Sequence, residues 1–128
     1  MTEGSVIFIV DDDPIHRLLM DKLFAKQPKT CKLHFFENGE KALEALKDPR
    51  TQVRPDLILL DIEMPVMNGW QFMEAFNQLD PALIDPVTVY MVSSSFSDED
   101  QDRVKSYARI KGYIVKPIRI EKIIELLE

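Results

Sequence analysis

Short apolar runs and longer stripes of helical spacing alternate along the whole chain. Val6 to Val10 is a β-branched and aromatic run of strand length. Beyond it the spacing predicts a helix to about Lys26, with Ile15, Leu18, Leu19 and Leu23 on one broad apolar face. Leu33 to Phe36 reads as a second strand. Asn38-Gly39 turns the chain into a second helix marked by Ala42, Leu43 and Leu46, which ends near Asp48-Pro49 in a polar linker through Pro55. Leu57 to Leu60 is apolar at every position, as in a central strand of a parallel sheet covered on both faces. A third helix starts near Gly69, with Phe72, Met73 and Phe76 at helical spacing and Trp70 serving as packing. Val87 to Val92 is a fourth strand. Ser97 with Asp100 opens a fourth helix, and Asp98, Glu99 and Asp100 suit the positive end of its dipole. Gly112 to Val115 is a short fifth strand, and Ile120, Ile123, Ile124 and Leu127 stripe a final helix.

Strands that alternate with helices imply parallel pairing and right-handed crossovers. The expected class is α/β: a (βα)5 doubly wound parallel five-stranded sheet, strand order 2-1-3-4-5. The 128 residues suit one domain, residues 1–128, with no internal repeat. The net charge of −6 gives no support to a nucleic-acid surface. No apolar run approaches the ~18 residues of a membrane span. The first residues are polar and acidic, unlike a secretory signal, and the single cysteine, Cys31, fits a reducing compartment, so a cytoplasmic protein is expected. His16, His34 and Cys31 share no zinc-like spacing.

The chemistry lies where the strands stop. The first ends in Asp11-Asp12-Asp13-Pro14; Asp13 is explained as a helix N-cap ahead of proline, Asp11 and Asp12 are not. The third strand ends at Asp61, the fourth at Ser93, the fifth at Lys116. Each alone is more often a turn, a cap or a strand exit. In the order 2-1-3-4-5, however, strands one and three are neighbours at the switch point, so the residues meet in one crevice. Carboxylates crowded in that way repel, and one would take up a proton unless a cation joined them. An oxygen-only site with few carboxylates and room for water suits Mg²⁺. Lys116 adds a positive charge and Ser93 a hydroxyl. Together they form the equipment of phosphoryl transfer: a nucleophilic oxygen, a metal and fixed donors for developing charge.

Val-Asp-Asp ahead of a helix, Leu-Leu-Asp-Ile-Glu-Met-Pro-Val-Met-Asn-Gly, Val-Ser-Ser and Gly-Tyr-Ile-Val-Lys-Pro, in this order and spacing, resemble the receiver domain of two-component response regulators, with its flavodoxin- or CheY-like fold. The resemblance spans nearly the whole chain and suggests a stand-alone single-domain type. It implies that Asp61 is the phosphoacceptor, served by a sensor histidine kinase or phosphotransfer protein. Asp12 would be a direct Mg²⁺ ligand and Asp11 one acting through water, joined by Asp61 and the backbone carbonyl of Glu63. Ser93 and Tyr113 match the two switch positions and Lys116 the phosphate-binding lysine, whose bond to Pro117 is commonly cis. Phosphorylation would remodel the face of the fourth helix, fifth strand and fifth helix for a downstream protein target, with no direct nucleic-acid or membrane contact. The domain would promote only its own phosphorylation and dephosphorylation.

Two departures stand out. Residues 105–111 are bulkier and more basic than is usual before the fifth strand, and Asn68 replaces a common Asp. Two rivals remain. A haloacid-dehalogenase-type phosphatase also forms an aspartyl phosphate, but its Asp-x-Asp-x-Thr pattern lacks the threonine here. A receiver-fold binding module indifferent to phosphate is disfavoured by the intact acids, Ser93 and Lys116.

Overall fold

A computed structural model describes residues 1, 3–51, 53–95 and 97–128; residue 52 of the expected linker lies outside the described residues. Strands β1 (Val6–Val10), β2 (Lys32–Phe36), β3 (Leu57–Asp61), β4 (Thr88–Ser93) and β5 (Ile110–Val115) form one sheet, ordered β2-β1-β3-β4-β5. Every neighbouring pair is parallel. Helices α1 (Pro14–Ala25), α2 (Gly39–Lys47), α3 (Gly69–Phe76), α4 (Pro81–Ile84) and α5 (Asp98–Lys105) lie in the crossovers, and α6 (Ile120–Leu127) follows β5.

Because side chains alternate along a strand, each central strand feeds two cores. Phe8, Val10, Ile58 and Leu60 pack with Leu43 and Leu46 of α2 and Phe72 and Phe76 of α3. Ile7, Ile9, Leu57 and Leu59 face Met20 and Phe24 of α1 and Ile123 and Leu127 of α6. All of β3 is buried, as its unbroken apolar run requires. Gly112 lies where the β4–β5 register shifts, and a Cβ there would stand 2.9 Å from the Tyr90 ring.

Helix starts follow their capping residues. Asp13 Oδ1 accepts the Ile15 amide at 2.9 Å, with Pro14 in the first turn. Asn38 Oδ1 accepts from the Lys41 amide at 3.0 Å, so the expected turn is the cap of α2, with Gly39 its first residue. Ser97 Oγ accepts from the Asp100 amide at 3.3 Å. Asn68 and Gln71 cap α3 reciprocally, each side chain accepting the other's amide at 2.9 Å. Asn68 therefore has a structural role as the cap of α3.

Three expectations need correction. The buried face of α1 is His16, Met20 and Phe24, with Leu19 and Leu23 half-buried at its margin; Ile15 and Leu18 are 78% and 56% exposed. Apolarity alone misplaced that face because its first buried residue is a histidine. In α6, Ile123 and Leu127 are buried while Ile124 points outward. The short α4 was not expected; Asp80 caps it, accepting the Ala82 amide at 3.0 Å, and Pro81 opens it.

Candidate functional site

The order of the strands brings the polar residues together. Asp11 follows β1 and its amide still donates to the Phe36 carbonyl, at 2.9 Å. Asp61 closes β3, Ser93 closes β4, and Lys116 follows β5, its amide donating to the Ser93 carbonyl at 2.8 Å. The strand hydrogen bonds thus fix where each side chain leaves the sheet. The Lys116 Nζ stands 2.9 Å from Asp61 Oδ2 and 2.9 Å from Asp11 Oδ2. All three side chains are largely buried. Asp12 is exposed, yet one carboxylate oxygen from each of Asp11, Asp12 and Asp61 falls within 4.8 Å of the others. Three hard oxygen donors at that separation fit a small divalent cation. Glu63 donates its amide to Asp61 Oδ1 at 3.3 Å, and its exposed side chain lines an open cleft with Asp12, Ile62, Met64, Pro65 and Asn68. The Lys116-Pro117 bond is cis.

One ammonium serves two acids, and they are not equivalent. Burial pushes Asp11 upward, but the His16 ring, the Asp13 amide and Lys116 outweigh it and hold that carboxyl at about 2. Burial also pushes Asp61 upward; Lys116 opposes it, the neighbouring Asp11 reinforces it, and Asp61 lies at about 6. Lys116 is held above an ordinary lysine because its two carboxylate partners outweigh its own burial. Unequal donors explain the split: Asp11 has two that Asp61 lacks.

Ser93 is buried, and its Oγ accepts from the Ser95 amide at 3.1 Å. The Tyr113 hydroxyl donates to the Ser95 carbonyl in turn. The two switch candidates are therefore joined through one backbone unit, which the sequence did not indicate. Arg17 was also missed; its guanidinium donates to the Asp11 carbonyl at 2.6 Å. So was His16, buried with Nδ1 2.6 Å from Asp11 Oδ2. Trp70 is buried packing, with the Arg103 guanidinium 4.4 Å above its ring and Tyr107 at 5.5 Å. Cys31 is half-buried at the sheet edge.

The loop between β3 and α3 is tightly fitted. Gly69 donates to the Ile62 carbonyl at 2.8 Å, and a Cβ on it would stand 2.6 Å from the Asp61 carbonyl oxygen. Val66 has φ 69°, and the Met67 amide closes onto the Pro65 carbonyl at 2.8 Å around it. This is a γ-turn of the left-handed kind, which is strained for a β-branched residue.

The response regulator receiver domain model matches residues 7–128. The chain belongs to this family. This receiver domain is 33% identical over 127 residues to the DNA-binding transcriptional regulator NtrC of Escherichia coli K12, covering 98% of the chain but 24% of that protein. It is 29% identical over 126 residues to the nitrate/nitrite response regulator NarL of the same organism, covering 98% of the chain and 54% of that protein. The chain thus spans about a quarter to a half of these curated relatives. Among solved structures, the two-component response regulator from Cytophaga hutchinsonii superimposes with a TM-score of 0.88 at 23% identity, over 98% of this chain and 95% of that one. A receiver protein from Dyadobacter fermentans gives 0.84 at 27%, over 97% and 95%. The fold is accordingly that of CheY-like receivers, and the chain is homologous to response regulators of two-component systems. No helix among the described residues is long and apolar enough to cross a membrane.

Proposed function

We propose that residues 1–128 act as one cytoplasmic receiver unit in which Asp61 accepts a phosphoryl group from a sensor histidine kinase or phosphotransfer protein. The observation that carries this reading is the single Lys116 ammonium shared by Asp11 and Asp61 at the mouths of adjoining strands. In the transfer, the P–N bond of the donor phosphohistidine breaks as a bond forms from Asp61 to phosphorus. Asp12, Asp61 and the Glu63 carbonyl would hold Mg²⁺, with Asp11 acting through water; the ion supplies charge neutralisation for the transferring group. Lys116 then leaves the Asp61 carboxylate for a phosphoryl oxygen, and Ser93 donates to another. The domain's role is regulatory, promoting only its own phosphorylation and dephosphorylation.

Ile15 and Leu18 lie one turn apart on the exposed face of α1, directly after the acids. Exposed apolar side chains beside a reactive group suit a partner that must approach it, and we assign them to docking of the phosphodonor protein. On the output side, Ser93 moving toward phosphate pulls on the Ser95 amide, and Ser95 in turn carries Tyr113. The α5–β5–α6 face would change shape for a downstream protein target, without direct nucleic-acid binding. A shift from mostly off to mostly on needs about 5 kcal/mol between the states, which charge-assisted hydrogen bonds to phosphate can supply.

Incubation with acetyl phosphate and Mg²⁺, followed by intact mass, tests the assignment. Stoichiometric labelling that is absent in Asp61→Asn supports it. Sustained turnover of a phosphomonoester would instead favour a phosphatase, and partner binding indifferent to both Asp61→Asn and Mg²⁺ removal would favour a phosphate-independent module. Ser93→Ala should label yet transmit poorly; equal partner binding with and without label in the unaltered chain would refute the switch.

A further inference from the structure

We propose that His16 is a positioning residue of this site: it fixes the Asp11 carboxylate and ties it to the loop that carries Lys116. The inference rests on the receiver reading above and concerns a residue that reading does not use. His16 is 6% exposed, in the first turns of α1, with Nδ1 2.6 Å from Asp11 Oδ2. On the other edge of the ring, the Ile118 amide is directed at Nε2 from 3.5 Å. A backbone N–H can only donate, so Nε2 presents its lone pair and the ring proton resides on Nδ1, from which it is donated to Asp11. Ile118 lies two residues past Lys116 and is itself buried among Ile7, Met20, Ile114 and Ile123. One imidazole therefore spans from the end of β1 to the exit of β5.

The consequence is read from the carboxylate. Asp11 Oδ1 accepts from the Asp13 amide at 2.9 Å and from Lys116 at 3.0 Å; Oδ2 accepts from His16 at 2.6 Å and lies 2.9 Å from Lys116. A carboxylate offers about four lone-pair sites; His16 and the Asp13 amide each hold one, and the remaining contacts are to the single Lys116 ammonium. Asp61 differs, since its Oδ1 receives only the Glu63 amide at 3.3 Å among the described residues. His16 thus fixes the orientation of Asp11, so that its carboxylate faces Lys116 and the neighbouring acids where a cation and its water would sit. A histidine that merely filled the core would matter for stability alone, whereas a histidine that orients the acid must alter cation binding separately from stability.

Three replacements separate these roles. His16→Leu keeps the volume without a donor; His16→Asn places an amide NH₂ where Nδ1 stands; His16→Gln places one toward Nε2. Mg²⁺ alone is titrated by calorimetry into each folded variant, with no phosphodonor present. Loss of the orienting bond should weaken Mg²⁺ binding by about tenfold in His16→Leu, the low end for groups that act on a metal from beyond its direct ligands. His16→Asn should recover most of that loss and His16→Gln little. In the unaltered, metal-free protein, long-range proton–nitrogen correlation of the imidazole should show the Nδ1–H tautomer. Equal Mg²⁺ affinity in the unaltered chain and in folded His16→Leu would overturn the proposal. So would an Nε2–H tautomer in the unaltered chain, a result that does not depend on any variant folding. Absence of Mg²⁺ binding by the unaltered chain would instead defeat the receiver reading, with the tautomer still deciding the role of His16.

Discussion

Replacing Asp61 by Asn should stabilise the metal-free protein, by an amount that depends on pH. Burial, reinforced by Asp11 and opposed by Lys116, moves the Asp61 carboxyl from an ordinary 3.8 to about 6. The folded chain therefore holds this proton more tightly than the unfolded chain. The associated stability is complete below 3.8 and is lost as pH rises through about 6. At about 1.4 kcal/mol per pH unit, moving from 3.8 to about 6 corresponds to a ceiling near 3 kcal/mol. The pocket mouth is open to water and the proton is shared with Asp11, so about half that ceiling, roughly 1–2 kcal/mol, should be realised. Asparagine imitates the neutral acid and escapes the penalty of ionising in place. In chelator, thermal melts followed by circular dichroism should place Asp61→Asn about 4–8 °C above the unaltered chain near pH 7.5. Near pH 4.5 the advantage should shrink to about a third, because Asp61 is then largely protonated. A lower melting point for Asp61→Asn near pH 7.5, or an advantage of the same size at both pH values, would refute the reasoning.

Removing the shared cation has the opposite sign: Lys116→Met leaves two buried carboxylates facing each other and should cost about 2–4 kcal/mol in denaturant titrations near neutrality, and less in acid as Asp61 takes up a proton. Gly69→Ala sets a methyl 2.6 Å from the Asp61 carbonyl oxygen, and overpacking of that kind should lower stability by about 1–3 kcal/mol in the same titrations. Val66→Gly keeps the positive-φ γ-turn with the one residue free of a Cβ penalty there and should raise stability by about 1 kcal/mol, seen as a higher denaturant midpoint with an unchanged slope.

The sheet was legible because its signal is redundant. Every residue of β3 is apolar until Asp61, so the strand, its centrality and its exit are one observation. The acids, Ser93 and Lys116 were legible for the same reason, since each ends an apolar run. The face of α1 was not. Ile15 and Leu18 have the spacing of a core stripe, and only tertiary structure shows that the sheet covers His16 instead. His16 escaped notice as a site residue because it reaches back to Asp11 across a helix start, where no regular spacing links two positions. The Ser95 bridge lies in a backbone carbonyl, which no side-chain pattern encodes. The turn at Val66 contradicts the local preference of valine, so its sequence argues for the wrong conformation.

The chain has a single tryptophan, and its place gives the molecule a built-in optical gauge. The indole of Trp70 follows Gly69, whose backbone touches the Asp61 strand end, and lies under the guanidinium of Arg103 on α5. Its emission is thus sensitive at once to events at the strand mouth and to displacement of the helix beyond β4. Fluorescence of the unlabelled protein can time the two, and show whether the helix moves with the chemistry or after it.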